Sequence, residues 1–124
     1  MVYQYSTLLI NSFFDAVLAQ MRVAGVATLN IYDSEGAVIV TMPFAGEILK
    51  SRSPMELELN NPQAAQAQID AIAATASIVN GSNQVIVTFD VGSPNTNPDA
   101  VLILSSTTIF MGGTVTVSRV RLVS

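Results

Sequence analysis

The sequence predicts a mainly β fold, jelly-roll-like or a β-sandwich, with one N-terminal amphipathic helix. One early segment has an apolar period of three to four residues, and several later segments alternate apolar and polar residues. Turn-forming residues also recur about every ten positions. A chain of 124 residues suits one folded unit. We therefore predict a single domain, with residues 1–25 as a helical segment and residues 26–124 as the β body.

Residues 6–24 are predicted to form the helix. The apolar residues that recur at spacings of three and four are Leu9, Ile10, Phe13, Phe14, Val17, Leu18 and Met21. Ser6 or Thr7 can cap the start, and Gly25 stands where a left-handed residue commonly follows a helix. The wide apolar stripe suits packing on a sheet, and it also suits docking on a second subunit.

The segment after the helix changes to a period of two residues. Apolar residues alternate over 27–31 and again over 38–44, and residues 33–36 between them are typical of a turn. This pattern predicts a β-hairpin.

A half-exposed strand is predicted next. Met55, Leu57 and Leu59 alternate there with Glu56 and Glu58. The two glutamates therefore lie on one face of the strand, opposite the apolar residues.

Residues 62–74 are ambiguous between helix and loop. Their alanine and glutamine content favours a helix by propensity, and Pro62 suits a first helical turn. Because most of the apolar residues are alanine, a helix here would bury little apolar surface. We favour a loop that leads into a strand.

The second half of the chain predicts four more strands separated by turns. These strands are predicted over residues 73–79, 85–91, 101–104 and 114–123. The short strand 101–104 is apolar on both faces, which suits a central or an interface strand.

The apolar phase of the strand 114–123 changes near Ser118. Val115 and Val117 are apolar at odd positions, whereas Val120 and Leu122 are apolar at even positions. Either a β-bulge shifts the register at this point, or the first half of the strand faces its own core and the second half faces a partner.

The composition leaves little scope for catalysis. The chain has no histidine, cysteine or tryptophan, which removes Ser-His-Asp triads, thiol chemistry and the usual zinc ligands. Glu56 and Glu58 have a spacing that could suit a glycosidase pair, yet a solvated strand face is the favoured interpretation. Asp33 and Glu35 resemble part of a calcium loop that lacks the remaining ligands. We predict no enzyme, no cofactor and no metal site.

Charge and hydropathy restrict the partners. The net charge is −4 and there is no basic cluster, which argues against direct contact with nucleic acid. The most apolar stretch, residues 8–26, is interrupted by polar and charged residues, so no membrane span is predicted. The start does not resemble a secretory signal. An apolar content of 50% favours self-association.

The predicted contact residues come from the helix stripe, the two-faced strand and two charged strands. They are Phe13, Phe14, Val17, Val101, Ile103, Arg119, Arg121, Glu56 and Glu58. Each charged pair lies on one face of its strand, so the acidic and basic pairs could meet across a sheet or between subunits, where they would set orientation and register.

A series of short motifs covers most of the chain. The motifs are Ser6-Thr7, Asn11, Asp15, Leu29–Asp33, Ile48-Leu49, Leu57–Pro62, Ala73–Ser77, Val91-Gly92 and Asp99–Val117. In this order they resemble a family of small tailed-bacteriophage proteins, and the block Asp99–Val117 is the most specific. The family often has an aromatic-arginine pair where this chain has Ile78-Val79. Arg119 or Arg121 would have to replace any subunit contact made by that arginine.

The resemblance implies a virion component, and the function expected from it is that of a capsid cement (decoration) protein on the capsid exterior. Its partners would be the major capsid protein and further copies of itself, as a dimer or trimer, without direct nucleic-acid or membrane contact. It would occupy the host cytoplasm during assembly. Two other functions stay open, a tail- or baseplate-associated virion protein and a carbohydrate-binding β-sandwich module.

Overall fold

The computed structural model describes residues 7–23, 25–44, 47–53 and 56–123. Within these residues the helix α1 spans Thr7–Met21. The strands are β1 (Thr28–Tyr32), β2 (Val38–Pro43), β3 (Leu49–Arg52), β4 (Glu56–Leu59), β5 (Ala65–Gln66), β6 (Ala71–Ile72), β7 (Thr75–Val79), β8 (Val85–Gly92), β9 (Leu102–Leu104), β10 (Thr108–Ile109), β11 (Thr114–Val115) and β12 (Val117–Val123). The described part of the chain is mainly β with one helix, consistent with a β-sandwich or jelly-roll-like fold, and the predicted class is confirmed.

Eight strands form one curled sheet in the order β2-β1-β7-β8-β9-β12-β4-β3. Neighbouring strands are antiparallel except β8 and β9, which are parallel. Residues 85–90 of β8 pair with β7, whereas Val91 and Gly92 pair with Leu102 and Ile103 of β9. The long strand β8 therefore joins the two halves of the sheet.

The hydrophobic core is formed by residues of this sheet together with residues of α1. The largest fully buried side chains are Phe14, Met21, Leu29, Ile31, Ile39, Val40, Met42, Leu57, Leu59, Ile78, Leu102 and Leu104. They come from the helix and from strands of both halves, so one core unites the whole β body.

The helix forms where its period of three to four residues predicts it. Val17, Leu18 and Met21 are buried in the core. The helix ends at Met21 rather than at residue 24, so Gly25, with a φ of 110°, lies beyond the position at which a left-handed residue directly follows a helix. Ser6, one of the two predicted caps, and Met55, the predicted start of β4, lie outside the described residues.

The predicted hairpin is confirmed as β1 and β2, with Leu29 opposite Met42. Oδ1 of Asp33 accepts hydrogen bonds from the backbone N–H groups of Glu35 and Ala37, both at 2.9 Å. Gly36 supplies the positive φ of 86° that the turn requires. The Asp33 carboxylate thus stabilises the turn.

Residues 62–74 form a loop rather than a helix, as favoured. The loop contains β5 and β6, which pair with β11 and β10. Between these pairs, the N–H of Ala67 donates to the carbonyl of Gly113 and the N–H of Gly112 donates to the carbonyl of Ala67, both at 2.9 Å. Small alanines such as Ala67 and Ala73 are buried where the loop crosses the core.

The change of phase near Ser118 is a β-bulge. Val117 pairs with Leu104 and Arg119 pairs with Ile103, so Ser118 is an extra residue in β12. The apolar side chains on both sides of the bulge lie in the core of the chain itself. The alternative, in which the second half of the strand faces a partner, is wrong.

Candidate interaction surfaces

The three contact residues predicted on the helix stripe differ in their exposure to solvent. Phe14 is 1% exposed and Val17 is 3% exposed, because both face the sheet. Their predicted role as contact residues is corrected, since they belong to the core. Phe13 lies at the border of the stripe and is 48% exposed. Its ring is 5.9 Å from that of Phe14, tilted by 50°, so the core holds this exposed ring in place.

The strand β9 is a central strand of the sheet, between β8 and β12. Its apolar residues on both faces are therefore buried by neighbouring elements of the same chain. Ile103 is buried and Val101, just before the strand, is half-buried. The contact role predicted for Ile103 is corrected accordingly, and Val101 retains only partial access to solvent.

The acidic and basic pairs meet across neighbouring strands of the same chain. Arg121 pairs in register with Glu58, and its Nη1 lies 3.6 Å from Oε1 of Glu56. Nζ of Lys50, on the other side of β4, lies 2.9 Å from Oε2 of Glu58. Such partly exposed pairs contribute about 0–1 kcal/mol each. They make this face of β3, β4 and β12 polar and balanced in charge.

Arg119 is committed to a loop of its own chain. Its Nη2 donates a hydrogen bond to the carbonyl oxygen of Pro98 at 3.3 Å. The side chain is half-buried. It therefore fastens the loop between β8 and β9 to β12.

Two exposed apolar surfaces stand apart from this charged face. The first, the apolar tip, consists of Ile72, Phe110 and Met111, which are 65%, 69% and 67% exposed. Ile72 lies opposite Thr108, two residues before Phe110, so Ile72 and Phe110 share the outward side of the β6–β10 pair.

Hydrogen bonds hold the turn that carries the apolar tip. The N–H of Gly113 donates to the carbonyl of Phe110 at 2.9 Å. Oδ1 of Asp70 accepts from the N–H of Met111 at 2.6 Å. The exposed side chains are therefore presented on a bonded turn.

The second surface, the helix–β8 groove, is an open groove of about 360 Å³ between α1 and the start of β8. Its lining residues are Phe13, Ala16, Val17, Gln20, Asn80, Gln84, Val85 and Ile86. None of these side chains carries a formal charge. Val85 is 60% exposed.

The turn at the end of the helix–β8 groove is firmly bonded. Oδ1 of Asn80 accepts from the N–H groups of Ser82 and Gln84 at 3.0 Å, and the N–H of Gly81 donates to the carbonyl of Val23 at 3.1 Å. These bonds fix the distance between the helix and the β7–β8 turn, and so the width of the groove.

The sequence predictions missed the apolar tip. The pair Gly112-Gly113 indicates a turn, but periodicity alone does not show that the two large apolar residues just before it, Phe110 and Met111, are exposed. An apolar pair next to a diglycine turn is the signal that could have identified this surface.

A smaller cleft of about 150 Å³ lies beside the apolar tip. Its lining residues are Leu104, Ser105, Ser106, Thr108, Ile109, Phe110, Gly113, Thr114, Val115 and Thr116. These hydroxyl, apolar and backbone groups include no carboxylate or basic side chain. The cleft therefore contains no acid–base pair.

Among the residues that the structure describes, no cluster of three or more carboxylates could hold a metal ion. Within the same ranges, no helix is both long and apolar enough to cross a bilayer.

The apolar tip and the helix–β8 groove are thus two exposed apolar surfaces on one β body. No protein-family model matches the chain, and no curated protein or solved structure matches it.

Proposed function

We propose that this protein is a structural subunit of a tailed-bacteriophage virion, a capsid cement protein that binds the exterior of the head. The observation that carries the proposal is the presentation of large apolar side chains, at the apolar tip and in the helix–β8 groove, on bonded turns of a compact β body. Monomeric proteins seldom expose large apolar patches unless these bind a partner.

The distribution of charge supports an exterior position. The net charge is −4, and several basic groups on β3 and β12 are already engaged with carboxylates or carbonyls of the same chain. A surface of this kind would be repelled by packaged DNA, whose phosphates are bound by clusters of free lysine and arginine. The outside of the shell imposes no such repulsion.

The proposed mechanism is stabilisation by linkage. Contacts made to the major capsid protein across capsomer boundaries, and to further copies of this chain, exist only in the assembled shell, so they lower the free energy of that state alone. Individually weak contacts are sufficient, because many copies act on one particle.

The test compares wild-type heads with deletion heads, which are assembled by a phage that lacks the gene for this protein. We expect the deletion heads to release DNA at a lower temperature, and the purified protein, when added back, to restore the wild-type release temperature. Phe110→Asp should restore it poorly, whereas Phe110→Leu, which keeps the apolar tip apolar, should restore it well.

Quantitative mass spectrometry of purified particles measures the copy number of the protein, which distinguishes a head protein from a tail protein. A cement protein should be present in numbers comparable to the capsomers, whereas a tail or baseplate protein should be present in few copies. Unchanged heat resistance of deletion heads, or a low copy number, would refute the cement role.

A further inference from the structure

We infer that copies of this chain bind one another head to tail, with the apolar tip of one copy seated in the helix–β8 groove of the next. This inference deepens the proposed role and rests on it for its setting, a shell on which copies stand close together. The contact itself is a property of the free chain.

Strand addition is a poor route to association for this sheet. At the β2 edge, the N–H of Gln68 donates to the carbonyl of Ile39 at 2.8 Å and the N–H of Gln63 donates to the carbonyl of Pro43 at 2.9 Å, so a loop of the same chain covers the strand. At the other edge, β3 carries Lys50 and Arg52. Covered and charged edges resist pairing with a second sheet.

The apolar tip and the helix–β8 groove are complementary in shape. One is a turn that projects Phe110 and Met111, and the other is an open groove of about 360 Å³. Pockets that bind small molecules measure about 300–1,000 Å³, so the groove suits one or two side chains rather than a whole helix or strand.

The two surfaces are also complementary in polarity. Asp15, the one charged residue of α1, lies on the side of the helix opposite Phe13. Asn80 and Gln84 form a neutral polar rim at one end of the groove. At the apolar tip, the nearby Asp70 carboxylate is engaged with the N–H of Met111. Apolar side chains can therefore enter the groove without leaving a charge buried and unpaired.

A second copy is the occupant that the geometry favours, because each chain presents both the projecting and the receiving surface. A contact between two different surfaces of identical chains is heterologous, and it continues into a ring or an open row of copies. Such repetition suits a protein that covers a lattice.

The area of this contact predicts a weak pair in solution. An aromatic side chain buries about 150–250 Å², so the apolar tip offers on the order of 400 Å², about half of the ~800 Å² per partner of a stable complex. Association of the free protein should therefore be visible only at high concentration, and a shell would strengthen it by holding copies close.

The experiment measures self-association by sedimentation equilibrium up to about 1 mM protein, the range in which weak pairs form. Wild-type protein should associate, and more strongly as salt rises, because salt screens the repulsion between copies of charge −4. Phe110→Asp and Val85→Asp should each weaken association about tenfold or more, whereas Phe110→Leu should leave it near wild type.

The decisive sample is an equimolar mixture of the two aspartate variants. Phe110→Asp retains a native groove and Val85→Asp retains a native tip, so the mixture should form a one-to-one complex that grows no further. Both residues are exposed, and far-UV circular dichroism and thermal unfolding verify that each variant folds.

Three results would overturn the head-to-tail contact. The first is a wild-type protein that stays monomeric throughout this concentration range. The second is self-association of either aspartate variant that is as strong as that of the wild-type protein, which would indicate tip-to-tip or groove-to-groove pairing. The third is a mixture that forms no complex.

The DNA-release assay on deletion heads distinguishes failure of this inference from failure of the proposed function. If the aspartate variants stabilise deletion heads fully, the head-to-tail contact is not used on the shell, and the cement role stands. Copies that associate as described but do not bind heads would refute the cement role alone.

Discussion

Oδ1 of Asp90 accepts a hydrogen bond from the backbone N–H of Val101 at 3.0 Å, and Oδ2 of the same carboxylate accepts from Nδ2 of Asn97 at 3.3 Å. One side chain of β8 thus holds the loop that leads into β9. Parallel neighbours usually need a connection of about a dozen or more residues. Residues 93–101 make this connection in fewer, because the loop folds back over the end of β8.

Removal of the Asp90 carboxylate should loosen this loop. We expect Asp90→Ala to lower the free energy of unfolding by about 1 kcal/mol, since hydrogen bonds to a carboxylate are stronger than neutral ones but these are exposed to solvent. Asp90→Asn keeps an acceptor for the Val101 N–H and should cost less. Urea denaturation measures both, and Asp99→Asn, an exposed carboxylate of the same loop, is the control. Equal effects at positions 90 and 99 would contradict this role.

The same loop requires a glycine at position 92. A Cβ atom there would lie 2.0 Å from the carbonyl oxygen of Asn97, so the loop would have to move. We expect Gly92→Ala to destabilise the fold by about 1–3 kcal/mol, as overpacking does. Gly113→Ala, whose Cβ would lie 3.0 Å from the carbonyl oxygen of Phe110, should cost less. Thermal unfolding of the two variants compares them, and a larger loss at Gly113 would argue against the close approach.

Arg52 ties the edge strand β3 to the helix. Its Nη1 lies 2.6 Å from Oδ1 of Asp15, and its guanidinium carbon lies 5.7 Å from the centroid of the Phe14 ring. Arg52→Ala should cost about 1 kcal/mol, because it removes both an ion pair and a cation–π contact. Asp15→Ala removes only the ion pair and should cost less.

Arg52→Lys keeps the charge and loses the planar group that stacks on the Phe14 ring. Its stability should fall between those of wild type and Arg52→Ala in the same urea titrations. A cost of Asp15→Ala as large as that of Arg52→Ala would show that the aromatic contact adds nothing.

The bulge at Ser118 sets the register of β12. Deletion of Ser118 alone would leave Val120 two positions after Val117, so Val120 and Leu122 would still face the core. Deletion of Ser118 together with Arg119 would place Val120 directly after Val117 and move Val120 and Leu122 to the solvent face, because a shift of one residue reverses every side chain of a strand. We expect the single deletion to fold and the double deletion not to fold, as judged by far-UV circular dichroism. Ser118→Ala keeps the residue count and should stay within about 0.5 kcal/mol of wild type. A double deletion that folds, or a single deletion that does not, would contradict this register.

Local periodicity accounts for what could be predicted from the sequence. The helix, the β1–β2 hairpin and the bulge near Ser118 each depend on residues that are close in the chain, and each is present. Periodicity reports which side of an element is buried. It does not report which strands become neighbours, so the order of strands in the sheet could not be predicted from periodicity.

The contact surfaces were harder to predict for a related reason. An apolar stripe on a helix has a centre and a border, and only the packed structure shows that Phe14 lies at the centre and Phe13 at the border. The charged pairs on β4 and β12 were recognised as complementary, yet only the strand register shows that Arg121 and Glu58 are neighbours within one chain. The burial of the helix residues and the proximity of the charged residues both depend on contacts between segments that are distant in the sequence.

The sheet order also has a kinetic consequence. β12 lies between β9 and β4, and its residue Val120 pairs with Leu59, far away along the chain. Folds dominated by such distant pairings form in about milliseconds to seconds, much more slowly than helical bundles. During that interval, newly synthesised chains expose unpaired strands and risk aggregation. Slow, cool expression should therefore raise the yield of native protein.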